Sequence, residues 1–448
     1  MTAQDWVKTF QYSADPKHAY DFTWFWLPDI KGYADAVNGK VPLDQIGVRQ
    51  GANPQELIFD TIVPAPYLPA KLLYSLPLSA AALEKTGPLY NTKPETAVSS
   101  GPFILSEWVR DQSITYKRNE SYKGSLQVPF QQIVVKLAAP NTWFTLYQAG
   151  DIDYTETPAP ADIKVAQSDP TLSKELYQGV GDFRVDYLFF DVTKPPFNNL
   201  KVRQAFSHVI DRDAIKLKIL GPQGNPSYGF LAPGYPASDQ EALKGIQNFD
   251  PALGKQLLAE AGYPNGKGFP KLEMWLREPT PTDSAVGGAA GAMLKQYLNI
   301  DVSISAKDQA TFTNALNAKP TQILFGFVSY GMDYLDPSNM LGVWLTGGRH
   351  SWSNPQYDKL VKEATSYLGP AAQRTQMFQQ AEKILVSDVP AVFIYYRTPI
   401  QFVKSYVKGD ALLPDKNNIK AIHWPGYTTM DTVPAGLYIT KDAPGNRS

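Results

Sequence analysis

Tyr187-Leu188-Phe189-Phe190 leads through Asp191-Val192-Thr193-Lys194 into Pro195-Pro196-Phe197-Asn198-Asn199-Leu200-Lys201-Val202-Arg203-Gln204-Ala205. An apolar strand candidate runs into a double proline and then into a helical pattern, so the prolines mark a crossing rather than a continuation. The pattern recurs at the other end of the chain. The apolar run Val392–Tyr396 ends in Tyr396-Arg397-Thr398-Pro399. Two crossings predict a chain that leaves one lobe, builds a second and returns, and such a topology encloses a cleft.

Outward from these points, short β-rich runs alternate with capped helices. Asp250-Pro251 reads as an N-cap followed by proline at the first helical position, with Leu253, Leu257, Leu258 and Ala261 on one face and Gly262 as the stop. Asn354-Pro355 repeats the device, with Tyr357, Leu360, Val361 and Ala364 on one side. Asn141 is expected to cap a helix carrying Trp143, Phe144, Leu146 and Tyr147 and ending at Gly150, and Met377, Phe378, Ala381 and Leu385 mark a helix from about Ala371. Ile133–Leu137, Tyr187–Phe190, Ile323–Val328 and Val392–Tyr396 are the strand candidates. The fold class is mixed α/β, with sheets flanked by helices.

The 448 residues suffice for two or three domains. A formal charge of −1 leaves no field of one sign to attract nucleic acid or an anionic membrane. With no cysteine, disulfides, thiolate nucleophiles and Cys-ligated metals are excluded. No apolar run reaches the roughly 18 residues of a membrane span. Thr2-Ala3-Gln4-Asp5 follows Met1 without a signal-peptide pattern. Tyr, Phe and Trp are abundant, which suits either a cavity around a small ligand or a large aromatic core.

Enzyme chemistry finds little support. His18, His208, His350 and His423 form no zinc-binding spacing, and His208 reads as a structural histidine within a helix. There is no nucleophile elbow, Walker A loop or dinucleotide fingerprint. Asp151 with Asp153, and Asp333 with Asp336, could in principle act as acid and base, but Gly150-Asp151-Ile152-Asp153 reads better as a helix-to-strand turn. No metal, cofactor or catalytic residue is expected.

A family resemblance emerges from motifs in a fixed order. These are Ser100-Gly101-Pro102-Phe103-Ile104-Leu105 with Lys117-Arg118-Asn119-Glu120-Ser121-Tyr122, and then Leu146-Tyr147-Gln148-Ala149-Gly150-Asp151-Ile152-Asp153. Pro195 to Ala205 follows with Ile210-Asp211-Arg212, and then Phe249-Asp250-Pro251 through Ala261-Gly262-Tyr263. Leu298-Asn299-Ile300-Asp301-Val302, Tyr334-Leu335-Asp336-Pro337 and Ser353-Asn354-Pro355-Gln356-Tyr357-Asp358 complete the set. Together they resemble the family 5 bacterial extracellular solute-binding proteins over essentially the whole chain. Thr2-Ala3-Gln4-Asp5-Trp6-Val7 resembles a segment that in the family follows a signal peptide and several strands. A longer natural form with an export signal, of the plain or the lipid-attachment-cysteine kind, is therefore expected.

The resemblance implies a periplasmic-binding-protein-like two-lobed clamp with an extra peripheral domain. Residues 1–97 are expected to be the remnant of the peripheral domain and 98–194 the first lobe. Residues 195–396 would form the second lobe, and 397–448 the return to the first. It implies a monomeric receptor of an ABC importer, periplasmic or on the cell surface, that takes a peptide or other small molecule to membrane permease subunits. By position, Asp333 matches the carboxylate that pairs with a peptide's α-ammonium group, and Tyr330 borders the ligand. The Tyr330-Gly331-Met332 backbone could pair with an extended peptide as an added strand. Asp336 is expected to be a turn residue. The alternative ligand is an oligosaccharide, for which Trp24, Trp26, Trp275, Trp344, Trp352 and Trp424 are candidate platforms, with core packing the blander role for most.

Overall fold

The computed structural model describes all residues except 21, 73–74, 127, 157, 179–182, 278, 414–435 and 446–448. His423 and Trp424 lie outside the described residues. The chain divides into two compact units, Met1–Thr142 with Thr428–Ser448, and Trp143–Tyr427. Among the described residues no helix is long and apolar enough to cross a membrane.

In the first unit, helix Ala3–Ala14 begins with the Asp5 side chain accepting the Thr2 amide at 2.7 Å. Its buried Phe10 stands edge-on to Trp26, Tyr33 and Phe59 at 5.0, 6.2 and 5.5 Å, forming a small aromatic core. The hairpin β1 (Val48–Gln50) and β2 (Leu57–Phe59) lies beside it. β3 (Phe103–Val109), β4 (Ser113–Arg118) and β5 (Gln132–Lys136) make an antiparallel meander. The Asn119 side chain donates to Gly101 O at 2.9 Å, so the two halves of the first sequence motif close one corner.

The second unit holds β6 (Tyr154–Glu156), β7 (Leu176–Gln178), β8 (Val185–Phe190), β9 (Gly224–Pro226), β10 (Leu272–Arg277), β11 (Val302–Lys307), β12 (Phe325–Tyr330), β13 (Ala391–Arg397) and β14 (Ile400–Val403). Six of these form one mixed sheet in the order β11-β10-β12-β8-β13-β9, with β10 parallel to both neighbours and the other pairs antiparallel. β8 explains the sheet. Every residue of Val185–Phe190 is buried, and alternate side chains enter different cores. Val185, Tyr187 and Phe189 join one cluster with helices Pro337–Gly342, Pro355–Thr365 and Ala371–Asp388. Leu188 and Phe190 join the other, with helices Leu200–His208, Pro251–Glu260 and Pro281–Leu298.

The motif residues hold these layers together. Past the double proline, Asn199 caps the helix Leu200–His208 by accepting the Lys201 amide at 3.0 Å. From that helix the buried Arg203 donates to Phe197 O, Asp388 O and Val389 O at 2.7, 2.7 and 3.0 Å. Arg212 donates to Phe393 O and Gln247 O, both at 2.7 Å. Gly254 lets helix Pro251–Glu260 approach Leu200–His208 closely, since a Cβ there would meet Val209 Cγ1 at 2.8 Å. The second crossing leads elsewhere. After Pro399, β14 leaves the six-stranded sheet and pairs between β6 and β7.

Most expected elements form where the sequence places them, with Asp250 and Asn354 as N-caps. Two details differ. Asn141 is not a helix cap: Pro140–Thr142 form a single 3₁₀ turn, and the helix is Trp143–Ala149. Strand β12 runs over Phe325–Tyr330 rather than Ile323–Val328. Its register is set by β8, which it follows to the Tyr330–Val185 pair, while the Ile323 amide turns to Thr321 Oγ1.

Candidate ligand-binding site at the strand ends

The carboxyl ends of β10, β11, β12 and β13 share one edge of the sheet, as the pairings through β8 require. In open α/β sheets this is the edge where ligands bind. The four expected ligand-binding residues sit there, with Tyr330 ending β12 and Gly331, Met332 and Asp333 following it.

Tyr330, Asp333 and Asn339 form a closed triangle. The Tyr330 hydroxyl donates to Asp333 Oδ2 at 2.5 Å, and Asn339 Nδ2 donates to the same oxygen at 3.0 Å. The Asp333 amide donates back to Asn339 Oδ1 at 2.8 Å. Burial, then the adjacent Asp333 carboxylate, pushes the Tyr330 phenol well above its usual range, so it remains a donor. Asp333 itself is half-buried, and among the described residues its hydrogen bonds reach only one carboxylate oxygen. A carboxylate fixed in this way, with no cationic partner among the described residues, suits an incoming ammonium group. Likewise, among the described residues no hydrogen bond reaches the main chain of Gly331 or Met332.

Asp336 has a different task. Its side chain accepts the Ser338 amide at 3.0 Å as N-cap of Pro337–Gly342, and Arg374 grips both its oxygens at 2.7 and 2.9 Å. The Tyr235 hydroxyl donates to Asp336 O at 2.7 Å, fixing the turn from the other side. Asp336 is thus a structural turn residue, as its Asp-Pro context suggests. Asp153 is similarly occupied, accepting from the Tyr406 hydroxyl at 2.5 Å.

The same edge carries guanidinium groups that the sequence reading missed. Arg277 ends β10 in register with Lys307 of β11. The side chain of Arg349 lies over the Tyr330 ring, 5.3 Å from its centroid. Arg184, just before β8, donates to Ser329 Oγ at 3.2 Å. Arg397 ends β13 and pairs with Asp186 at 2.7 Å and Asp283 at 3.0 Å. Burial, then the charges of Arg349 and Arg184, pulls the Arg277 guanidinium down to about 10. A charged residue closing an apolar strand is the one signal that could have flagged Arg277. Arg349 lies in an irregular stretch and has no such signal.

The tryptophans divide. Trp26, Trp344 and Trp352 are buried in cores, with Trp344 stacked on His350 at 4.1 Å. Trp275 is half-buried under Lys307, while Trp24 is 46% exposed. His208 is buried and its Nδ1 is bonded to Asn248 O at 2.8 Å. His350 accepts or donates at the Tyr187 hydroxyl, 3.0 Å away, and burial holds it neutral by pulling its pKa well below the usual range. Among the described residues no group of three His, Cys, Asp or Glu side chains could hold a metal ion.

Comparison with known proteins gives the family and the fold. The family model for "Bacterial extracellular solute-binding proteins, family 5 Middle" matches residues 1–352. The probable deoxycholate-binding periplasmic protein YgiS of Escherichia coli is 28% identical over 426 residues, covering 91% of this chain and 76% of that protein. The periplasmic oligopeptide-binding protein OppA of Escherichia coli is 28% identical over 425 residues, with the same coverage. Among solved structures, a periplasmic oligopeptide-binding protein of Borrelia burgdorferi (OppAIV) superposes with a TM-score of 0.78 at 24% identity, covering 91% of this chain and 81% of that one. The fold expected from the sequence, that of the periplasmic binding proteins, is the fold found.

Proposed function

The chain belongs to the bacterial extracellular solute-binding proteins, family 5, and from that premise we propose that it is the receptor of an ABC importer for peptides, holding the ligand's ammonium group at Asp333. The observation that carries this reading is the Tyr330–Asp333–Asn339 triangle at the carboxyl edge of the sheet. It presents a fixed carboxylate beside the main chain of Gly331 and Met332, which can pair with an extended peptide regardless of its side chains. Relatives named for oligopeptide binding agree with it. The protein acts outside the cytoplasm, in the periplasm or at the cell surface, hands its ligand to membrane permease subunits, and catalyses nothing. The division into a peripheral remnant (1–97), a first lobe (98–194, 397–448) and a second lobe (195–396) belongs to this proposal, and the pairing of β14 with β6 and β7 supports the return of the chain.

Calorimetric titration tests the reading. A mixture of short peptides should give saturable heat, and N-acetylated peptides should give little. Heat from cello- or xylo-oligosaccharides, or from deoxycholate, with none from peptides would end the peptide assignment. Peptide or glycoside hydrolysis that survives repurification would end the non-catalytic one.

A further inference from the structure

Asp333 accounts for one charge at the strand edge, yet the edge is richer in cations than a receptor for a neutral backbone requires. On one side of the sheet, Arg397 is committed to Asp186 and Asp283, with Arg184 beside them on Ser329. On the other side the arrangement differs. Side chains of β10 alternate, so Leu272, Met274 and Leu276 enter one core and Trp275 packs on the other. Arg277 therefore follows Trp275 to the face occupied by Tyr187 and Tyr330. Arg349 lies over Tyr330 on that face. Neither Arg277 nor Arg349 forms an ion pair or a side-chain hydrogen bond among the described residues, although both are half-buried. Two neighbouring guanidinium groups partly withdrawn from water, without a counter-charge, are unfavourable unless an anion joins them. The depressed pKa of Arg277 is consistent with this crowding.

We propose that Arg277 and Arg349 form an anion subsite that makes this a receptor for acidic peptides, with a side-chain carboxylate near the amino terminus. The inference rests on the peptide reading above, because the ammonium at Asp333 sets the register. Tyr330 links the two subsites, its hydroxyl on Asp333 and its ring under Arg349. An ammonium on one side of that ring and a carboxylate on the other are one or two extended residues apart, at about 3.3–3.6 Å per residue. A guanidinium receives a carboxylate through two parallel hydrogen bonds, so each arginine can take one. Two arginines thus fit a side-chain carboxylate together with a second acidic group, such as a short peptide's C-terminus.

The test titrates the full chain with Ala-Glu-Ala, Ala-Gln-Ala and Ala-Lys-Ala, free and N-acetylated, at low and high salt. The acidic peptide should bind roughly ten- to a hundredfold tighter than its amide counterpart, the usual range for a hydrogen bond to a charged group. That gap should narrow as salt rises. It should also collapse in the double variant Arg277→Gln/Arg349→Gln, with the melting temperature reporting that the variant is folded. Should the variant not fold, the Glu-to-Gln ratio of the unaltered protein and its salt dependence decide. Equal affinity for Ala-Glu-Ala and Ala-Gln-Ala overturns the anion subsite and leaves the peptide receptor standing. A Glu preference that the folded double variant retains overturns it as well. Indifference to N-acetylation while the Glu preference persists removes Asp333 as the ammonium anchor instead. Absence of binding to any peptide removes both.

Discussion

Asp333 and Asp336 are three residues apart and differ in their partners. Asp336 is neutralised from within by Arg374 and by the amide it caps, whereas among the described residues the Asp333 side chain receives only the neutral donors Tyr330 and Asn339. Asp333→Asn should therefore weaken peptide binding by roughly 30- to several-thousand-fold, the effect of breaking a buried ammonium–carboxylate pair on one side. Calorimetry checks this, and the melting temperature should hardly move. Asp336→Asn should do the reverse, lowering the melting temperature with a small change in affinity. Glu382 poses a different question. It is fully buried, accepts the amides of Phe230 and Leu231 at 2.7 and 2.8 Å, and burial pushes its pKa up to about 8. The folded state thus keeps a proton that the unfolded chain releases above the ordinary glutamate range, about 4.3. Its contribution is fully present below that range, falls as pH rises toward 8, and then stays lost. Glu382→Gln should flatten the decline in melting temperature between pH 5 and pH 8. An equally steep decline in the variant would refute the assignment.

At the scale of elements, the motif arginines act as staples. Arg203 joins the turn after the double proline to the end of helix Ala371–Asp388, bringing together segments that lie far apart in the chain. Arg203→Leu keeps the apolar stem but strands the carbonyls of Phe197 and Val389 in a buried place. At about 1–3 kcal/mol for each unsatisfied group, the cost should total several kcal/mol, read as a lower denaturant midpoint with unchanged slope. The close contact of helices Leu200–His208 and Pro251–Glu260 is set by the missing side chain of Gly254. Gly254→Val should overpack this contact and destabilise by roughly 1–3 kcal/mol.

For the molecule as a whole, a receptor and an inert scaffold differ in their response to ligand. A peptide at 100 times its dissociation constant should add about 2.7 kcal/mol of stability, seen as an upward shift of the thermal transition of the full chain. No shift with any peptide would remove the receptor reading at its root. The proposed anion subsite adds a condition at this scale. With a net charge of −1 the protein has no overall attraction for anions, so any preference for acidic peptides must originate in the local arginines and should vanish with them.

The fold was legible in the sequence because its signals are local: a proline crossing, an Asn or Asp cap, or a glycine stop specifies its own few residues of backbone. Arranged in one order along the chain, they leave little freedom in how the strands and helices follow one another. That Asp333 follows the end of an apolar strand was legible as well, through its short distance from that strand and from an Asp-Pro turn. The exact reach of β12 was not, because its register belongs to the pairing with β8 rather than to its own residues. Nor were the hydrogen-bond partners of each aspartate, nor the placing of Arg277 and Arg349 at one edge of the sheet. Arg277 and Arg349 lie far apart in the chain, and it is the pairing of β10 with β12 and the path of the chain after Gly342 that set them at one edge, which no local pattern encodes.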